Sequence, residues 1–166
     1  MILAVNNRQR DLLCFALAGL EAGVLGGLFA LGWYAAGSLL SAQPAWSIPV
    51  RLADGVFGGG IHRHGRAMAA AVGVAVQLVS AGICGLVFGL AMREPRGARR
   101  VSLLGLLCGL GWFYIGHGIL LRRLGSGLYP LASPGSLLMG HLALGMILGR
   151  YPRFLSSIRP DSKPDV

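Results

Sequence analysis

Residues 12–40 read LLCFALAGLEAGVLGGLFALGWYAAGSLL and contain a single charged side chain, Glu21. With a helical rise of 1.5 Å per residue, about 20 such residues cross the ~30 Å hydrocarbon core of a bilayer. The stretch is therefore long enough to span a membrane, and its surplus length implies tilt or an emergent last turn. It is also far longer than the apolar core of a signal peptide, so we expect a retained membrane anchor.

Three more apolar stretches follow in the chain. Residues 67–92 and 101–121 contain no Asp, Glu, Lys or Arg, whereas residues 134–151 contain only Arg150. Ser133 and Pro134 are typical of an N-cap and a first helical position. The sequence thus predicts an all-α integral membrane protein, a four-helix bundle with helices at 12–40, 67–92, 101–121 and 134–151. These helices form one domain over residues 1–152, and the prolines in residues 153–166 predict a disordered tail.

Composition and charge distribution support a membrane location. Hydrophobic residues make up 54% of the 166 and charged residues only 13%, about half the share found in soluble domains. The basic residues that give the net charge of +9 lie between the apolar stretches, so we expect no nucleic-acid partner. Ten basic residues would lie on the side of both termini and five on the other, which predicts cytoplasmic termini. The ten are Arg8, Arg10, Arg93, Arg96, Arg99, Arg100, Arg150, Arg153, Arg159 and Lys163; the five are Arg51, Arg63, Arg66, Arg122 and Arg123.

The long outer loop, residues 41–66, contains two features. Its apolar side chains, from Trp46 through Phe57, predict a short amphipathic segment at the membrane interface, and Trp33, Tyr34 and Trp46 fit an aromatic belt. Residues 62–66 read HRHGR, a pattern that fits an anion-binding or acid-sensing segment but also an ordinary solvated loop. The solvated loop is the interpretation that we favour.

Four polar residues form the candidate intramembrane site: Glu21, His141, Gln77 and His117. Glu21 lies nine residues after Leu12 and His141 nine residues before Arg150, so each is about 14 Å from the inner edge by helical rise. We therefore expect a Glu21–His141 contact between the first and fourth helices. Gln77 and His117 form a second level nearer the outside. Such residues mark either structural hydrogen bonds or a proton or ion path.

Glycine pairs with G-x-x-x-G spacing occur in all four predicted helices. Because small residues let helix backbones approach closely, we expect these glycines to pack helices within the chain, with oligomer contacts as the alternative. The nine residues are Gly19, Gly23, Gly27, Gly85, Gly89, Gly105, Gly109, Gly145 and Gly149.

No catalytic set, metal site or cofactor motif is evident. Cys14, Cys84 and Cys108 lack zinc-ligand spacing and are odd in number, so we interpret them as packing residues. The paired carboxylates or serine–histidine pair of an intramembrane protease and the glycine-rich loop of a nucleotide site are missing too. Ligation of haem b by His117 and His141 is an alternative that their different depths oppose.

Three segments are familiar: Trp46-Ser47-Ile48-Pro49, Gly111-Trp112-Phe113-Tyr114, and the run from Gly140 to Arg153. The chain resembles a group of small, uncharacterised four-helix bacterial inner-membrane proteins. The resemblance implies a multi-pass inner-membrane location and no particular activity.

Three hypotheses about function remain. The first is a non-enzymatic accessory or packing subunit of a membrane assembly, which contacts the bilayer and either further copies of itself or other membrane subunits. The second is a small oligomeric transporter or channel that uses Glu21 and His141 as its polar lining. The third is a haem b or metal-binding membrane subunit.

Overall fold

The computed structural model describes residues 7–93, 97–116 and 134–159. The predicted all-α class is confirmed, because within these ranges every regular element is helical. The α-helices, in chain order, are α1 (Asn7–Leu40), α2 (Ser47–Phe57), α3 (Arg66–Ala91), α4 (Ala98–Phe113), α5 (Pro134–Leu148) and α6 (Tyr151–Ile158). A 3₁₀ helix, Gly59–His64, joins α2 to α3.

Among the described residues, three helical segments are long and apolar enough to cross a membrane: Arg8–Leu40, Arg66–Ala91 and Ala98–Gly116. Helix α5 is equally apolar but has only 15 residues. The fourth predicted span was drawn as one helix from 134 to 151, whereas α5 ends at Leu148 and a new helix begins at Tyr151. Residues 117–121 of the third predicted span lie outside the described residues.

The long helices lie in the order α3, α1, α5, α4, so that α1 and α5 are central. Helices α1 and α3 are antiparallel: Gly19 lies beside Gly85 and Gly89, and Gly27 beside Ala81. Helices α3 and α4, although consecutive along the chain, have few contacts. The turn at Arg93 therefore separates two helix pairs, α1 with α3 and α4 with α5.

Glycine sets the spacing of α1 and α3. A Cβ atom at Gly19 would overlap the carbonyl oxygen of Gly85, and a Cβ atom at Gly23 would overlap that of Ala81. Gly85 and Gly89 are equally close to α1. Any side chain larger than hydrogen at these positions would force the backbones apart.

Glycine also sets the spacing of α4 and α5. A Cβ atom at Gly105 would lie 2.9 Å from the Gly149 Cα, and one at Gly109 would overlap the carbonyl oxygen of His141. Gly145 lies opposite both glycines of α4. All nine glycines of the predicted motifs therefore lie at helix crossings within the chain.

The predicted amphipathic segment of the outer loop is helix α2, which packs on α3. Its buried residues include Ile48, Pro49 and Ala53. The Pro49 carbonyl approaches α3 at Gly73, where a Cβ atom would overlap it. Helix α2 is thereby held against the start of α3.

The prediction of a disordered tail beginning at residue 153 is wrong for its first part, because α6 continues to Ile158. Pro152 lies in the first turn of α6, where a missing N–H costs nothing, so it starts this helix and does not break it. Phe154, Leu155 and Ile158 pack against the buried core. Arg159 then forms an ion pair with Asp11 of α1, with 3.3 Å between Nη2 and Oδ1.

Candidate functional site

Glu21 lies on an exposed face of α1. By helical rise its Cα is about 21 Å from the start of this helix and about 28 Å from its end. The flanking glycines at 19 and 23 are buried against α3, so the carboxyl group points away from that crossing. Glu21 is therefore a carboxyl group well inside an apolar span, on the side that no other part of the described chain covers.

The exposed face extends along α1 as a continuous stripe. At 100° per residue, five exposed residues between Leu17 and Ala36 fall within about 60° of Glu21 on the helix surface. Together with Glu21 we call them the Glu21 stripe: Leu17, Glu21, Leu25, Leu28, Gly32 and Ala36.

A shallow apolar groove of about 520 Å³ lies at the far end of the Glu21 stripe. Gly32 and Ala36 line it together with Leu28, Trp33 and Ala143. A Cβ atom added at Gly32 would meet nothing within 4 Å. Gly32 and Ala36 have the small-x-x-x-small spacing of helix-packing motifs, yet they pack no helix within the described chain.

His141 is held by Tyr34 and by its own helix. The Tyr34 hydroxyl lies 3.2 Å from His141 Nδ1, which in turn lies 2.8 Å from the carbonyl oxygen of Leu137. Because a carbonyl oxygen only accepts, this distance indicates that Nδ1 carries the proton. The Tyr34 hydroxyl also donates to the Leu137 carbonyl at 3.3 Å, and the Phe113 ring contacts the imidazole edge to face.

The expected Glu21–His141 contact is not made. His141 is level with Tyr34, which follows Glu21 by thirteen residues on the continuous helix α1, a rise of about 20 Å. The estimate of equal depth was wrong because it took Leu12 and Arg150 as the inner ends of the helices. Helix α1 starts earlier and α6 continues past Arg150, so α5 lies nearer the C-terminal end of α1.

The other predicted pair is described only in half. Gln77 is half-buried on α3. Its main-chain carbonyl oxygen lies near Gly27 of α1 and accepts a hydrogen bond from the Ser80 hydroxyl. His117 lies outside the described residues. Of the described residues of the predicted site, Glu21 and His141 are thus not brought together.

Sequence reasoning missed two polar contacts between α1 and α5. Besides the Tyr34–His141 contact, the Trp33 indole donates to the carbonyl oxygen of Ser136 at 3.0 Å. Two neighbouring aromatic residues with polar tips in an apolar span were the available signal. They fitted an aromatic belt equally well, and only the position of α5 distinguishes the two roles.

The cysteines occupy different environments. Cys84 Sγ and Cys108 Sγ lie 3.6 Å apart, between α3 and α4, and both thiols are free. Cys14 is not part of this thiol–thiol contact. Among the described residues, no three His, Cys, Asp or Glu side chains are close enough to share a metal ion.

No family model, curated protein or solved structure matches the chain. The function is therefore argued from the geometry of the chain alone.

Proposed function

We propose that the protein is a non-enzymatic subunit of a membrane assembly, in which another transmembrane chain docks on the Glu21 stripe. The observation that carries this proposal is the exposure of Glu21 within the longest apolar helix. On insertion scales, a charged residue at the centre of a membrane helix costs about 2.5–3.5 kcal/mol. A helix packed against the stripe would shield this carboxyl group from lipid and offer it a hydrogen bond.

The rest of the stripe also favours a helix as the occupant. Lipid chains provide no hydrophobic drive for helices to associate, so transmembrane contacts depend on close backbone approach and on polar pairs. Gly32 and Ala36 allow close backbone approach, and Glu21 offers one half of a polar pair. The glycines at the other crossings are already used within the chain.

Charge complementarity favours a different chain over a second copy. A twofold-symmetric contact through this stripe would bring two Glu21 carboxyl groups together, because such an interface uses the same patch on both subunits. Like charges at close range are repulsive. The partner helix is therefore expected to carry a hydrogen-bond donor or a basic side chain at the level of Glu21.

We further propose a four-helix bundle in the bacterial inner membrane, with both termini cytoplasmic. The Asp11–Arg159 ion pair supports an even number of crossings, since it joins the two ends of the described chain. Helix α5 would then be the fourth crossing, completed at its ends by flanking residues. The ten-to-five distribution of basic residues supports the orientation.

The test is native mass spectrometry of the protein released gently from its own membrane, compared among three variants. In Glu21→Leu we expect the mass of the partner chain to be lost while the chain itself stays folded. Gly32→Leu places a side chain in the groove at a position where a Cβ atom meets nothing within 4 Å, so it should have the same effect. Gly111→Leu is the matched control, because Gly111 on α4 also faces open space but lies away from the stripe.

Unfolding of the purified chain separates docking from folding. In Glu21→Leu, leucine replaces a membrane-exposed carboxyl group. The free energy of unfolding of this variant should therefore equal that of the wild type or exceed it by up to about 3 kcal/mol. A protein that is monomeric and free of partners in its own membrane would contradict the proposal. A partner that stays bound in both stripe variants would contradict it as well.

A further inference from the structure

A cavity of about 350 Å³ lies between the loop after α1, helix α2 and the start of α3. Its polar and aromatic lining includes Gln43, Trp46, Arg51, Asp54, His62 and Arg66. The volume is at the small end of the range for ligand pockets, roughly 300–1,000 Å³. The cavity lies just beyond the ends of α1 and α3, away from the Glu21 stripe.

The charges around the cavity are unbalanced. Asp54 is the only carboxylate among the described residues of the lining, and its Oδ1 lies 2.8 Å from His62 Nε2. This oxygen is closed off from solvent. Arg51 and Arg66 are exposed at the cavity, and neither guanidinium has an ion-pair partner among the described residues. Among the described residues, two guanidinium groups and one carboxylate therefore line the cavity, which leaves an excess of positive charge.

The walls of the cavity are held in place by their packing. The close approach of Pro49 to Gly73 fixes α2 against α3. The 3₁₀ helix that presents His62 is bounded by Gly58 and Gly65, whose φ angles of 73° and 90° suit glycine alone among common residues. Gly65 turns the chain directly before Arg66, so the backbone conformation of this glycine places Arg66 at the start of α3.

We propose that this cavity binds an anion that bears a phosphate group. A guanidinium offers five N–H donors in a planar fork that matches phosphate oxygens, and two such groups line the cavity. The Trp46 ring provides an apolar wall for the group attached to the phosphate. Because the cavity lies next to the ends of two spans, the phosphate comes either from the headgroup of an anionic lipid or from a soluble phosphate ester.

The experiment uses the full chain purified in dodecyl maltoside, a detergent without phosphate. Radiolabelled inorganic phosphate in equilibrium dialysis probes the soluble source, and native mass spectrometry after addition of phosphatidylglycerol probes the lipid source. The variant is Arg51→Gln with Arg66→Gln. Arg63→Gln is the matched control, since it removes one exposed positive charge from the same segment but does not line the cavity.

We expect saturable binding that the double variant weakens at least about tenfold and that Arg63→Gln leaves within about twofold. Saturable phosphate binding assigns a soluble ligand, and retention of phosphatidylglycerol alone assigns a lipid headgroup; each supports the proposal. If the double variant does not fold, Arg66→Gln alone takes its place. Absence of saturable binding with both probes, or an equal loss in Arg63→Gln, would overturn the proposal.

Discussion

Two glycines on the same helix, Gly109 and Gly111, have opposite surroundings. A Cβ atom at Gly109 would overlap the carbonyl oxygen of His141, whereas one at Gly111 would meet nothing within 4 Å. We expect Gly109→Ala to lower the free energy of unfolding by about 1–3 kcal/mol, the usual cost of overpacking. Gly111→Ala should be neutral or raise it by up to about 1 kcal/mol, because alanine favours the helix. Circular dichroism during titration with sodium dodecyl sulfate measures both, and equal losses would contradict the close α4–α5 crossing.

The glycine motifs show how far residue-scale reasoning reaches. Their spacing predicted close helix packing, and the structure uses the spacing at both crossings. The partner of each motif was not predictable, since all four apolar stretches carry the same spacing. The small pair left over, Gly32 and Ala36, has the same spacing but contains only one glycine, and its exposure became evident only from the helix order.

At the scale of helices, the sparse contact between α3 and α4 contains the pair of neighbouring thiols. Cys84 and Cys108 are 3.6 Å apart, so a membrane-permeant oxidant such as copper phenanthroline should join them within one chain. We expect a mass loss of about two hydrogens, protection of both residues from maleimide, and continued labelling of Cys14 after denaturation. Cys84→Ser should abolish the cross-link, and a cross-link through Cys14 instead would contradict the observed helix order.

Helices were predictable where an apolar run ended at charges, and not where the chain turned without one. Helix α3 matches its predicted span to within one residue, because a charged residue lies at each end of its apolar run. Helix α1 instead continues through Asp11, Arg10 and Arg8 to Asn7. The break after Leu148 and helix α6 were missed, because the prolines near the end of the chain were interpreted as signs of a disordered tail. The contacts that stabilise α6 are tertiary: Tyr151 is buried, and its hydroxyl donates to the Gly89 carbonyl of α3 at 3.4 Å.

At the scale of the whole molecule, the depth of each polar residue depends on the helix order and on where each helix begins. Counting from flanking charges placed Glu21 and His141 at one level, yet about 20 Å of helical rise separates Glu21 from the residue that contacts His141. The same helix order leaves the side of α1 that contains Glu21 uncovered by the rest of the described chain. A functional interpretation of Glu21 therefore required tertiary structure, although its unusual chemistry was evident from sequence.

The proposed topology makes a prediction for the molecule as a whole. Asp11 and Arg159 are in contact, so the start of α1 and the end of α6 must lie on one face of the membrane. The outer segment around Arg63 is separated from both by the full length of α1 or α3.

In a variant without native cysteines, Arg63→Cys should react with a membrane-impermeant maleimide in intact spheroplasts. Ser156→Cys should react only after permeabilisation, since both positions are exposed in the fold but would face opposite compartments. Leu144→Cys, which is buried, should react in neither case. Labelling of Arg63→Cys and Ser156→Cys from the same side would contradict the crossing of α1, and labelling of Ser156→Cys alone in intact spheroplasts would reverse the orientation.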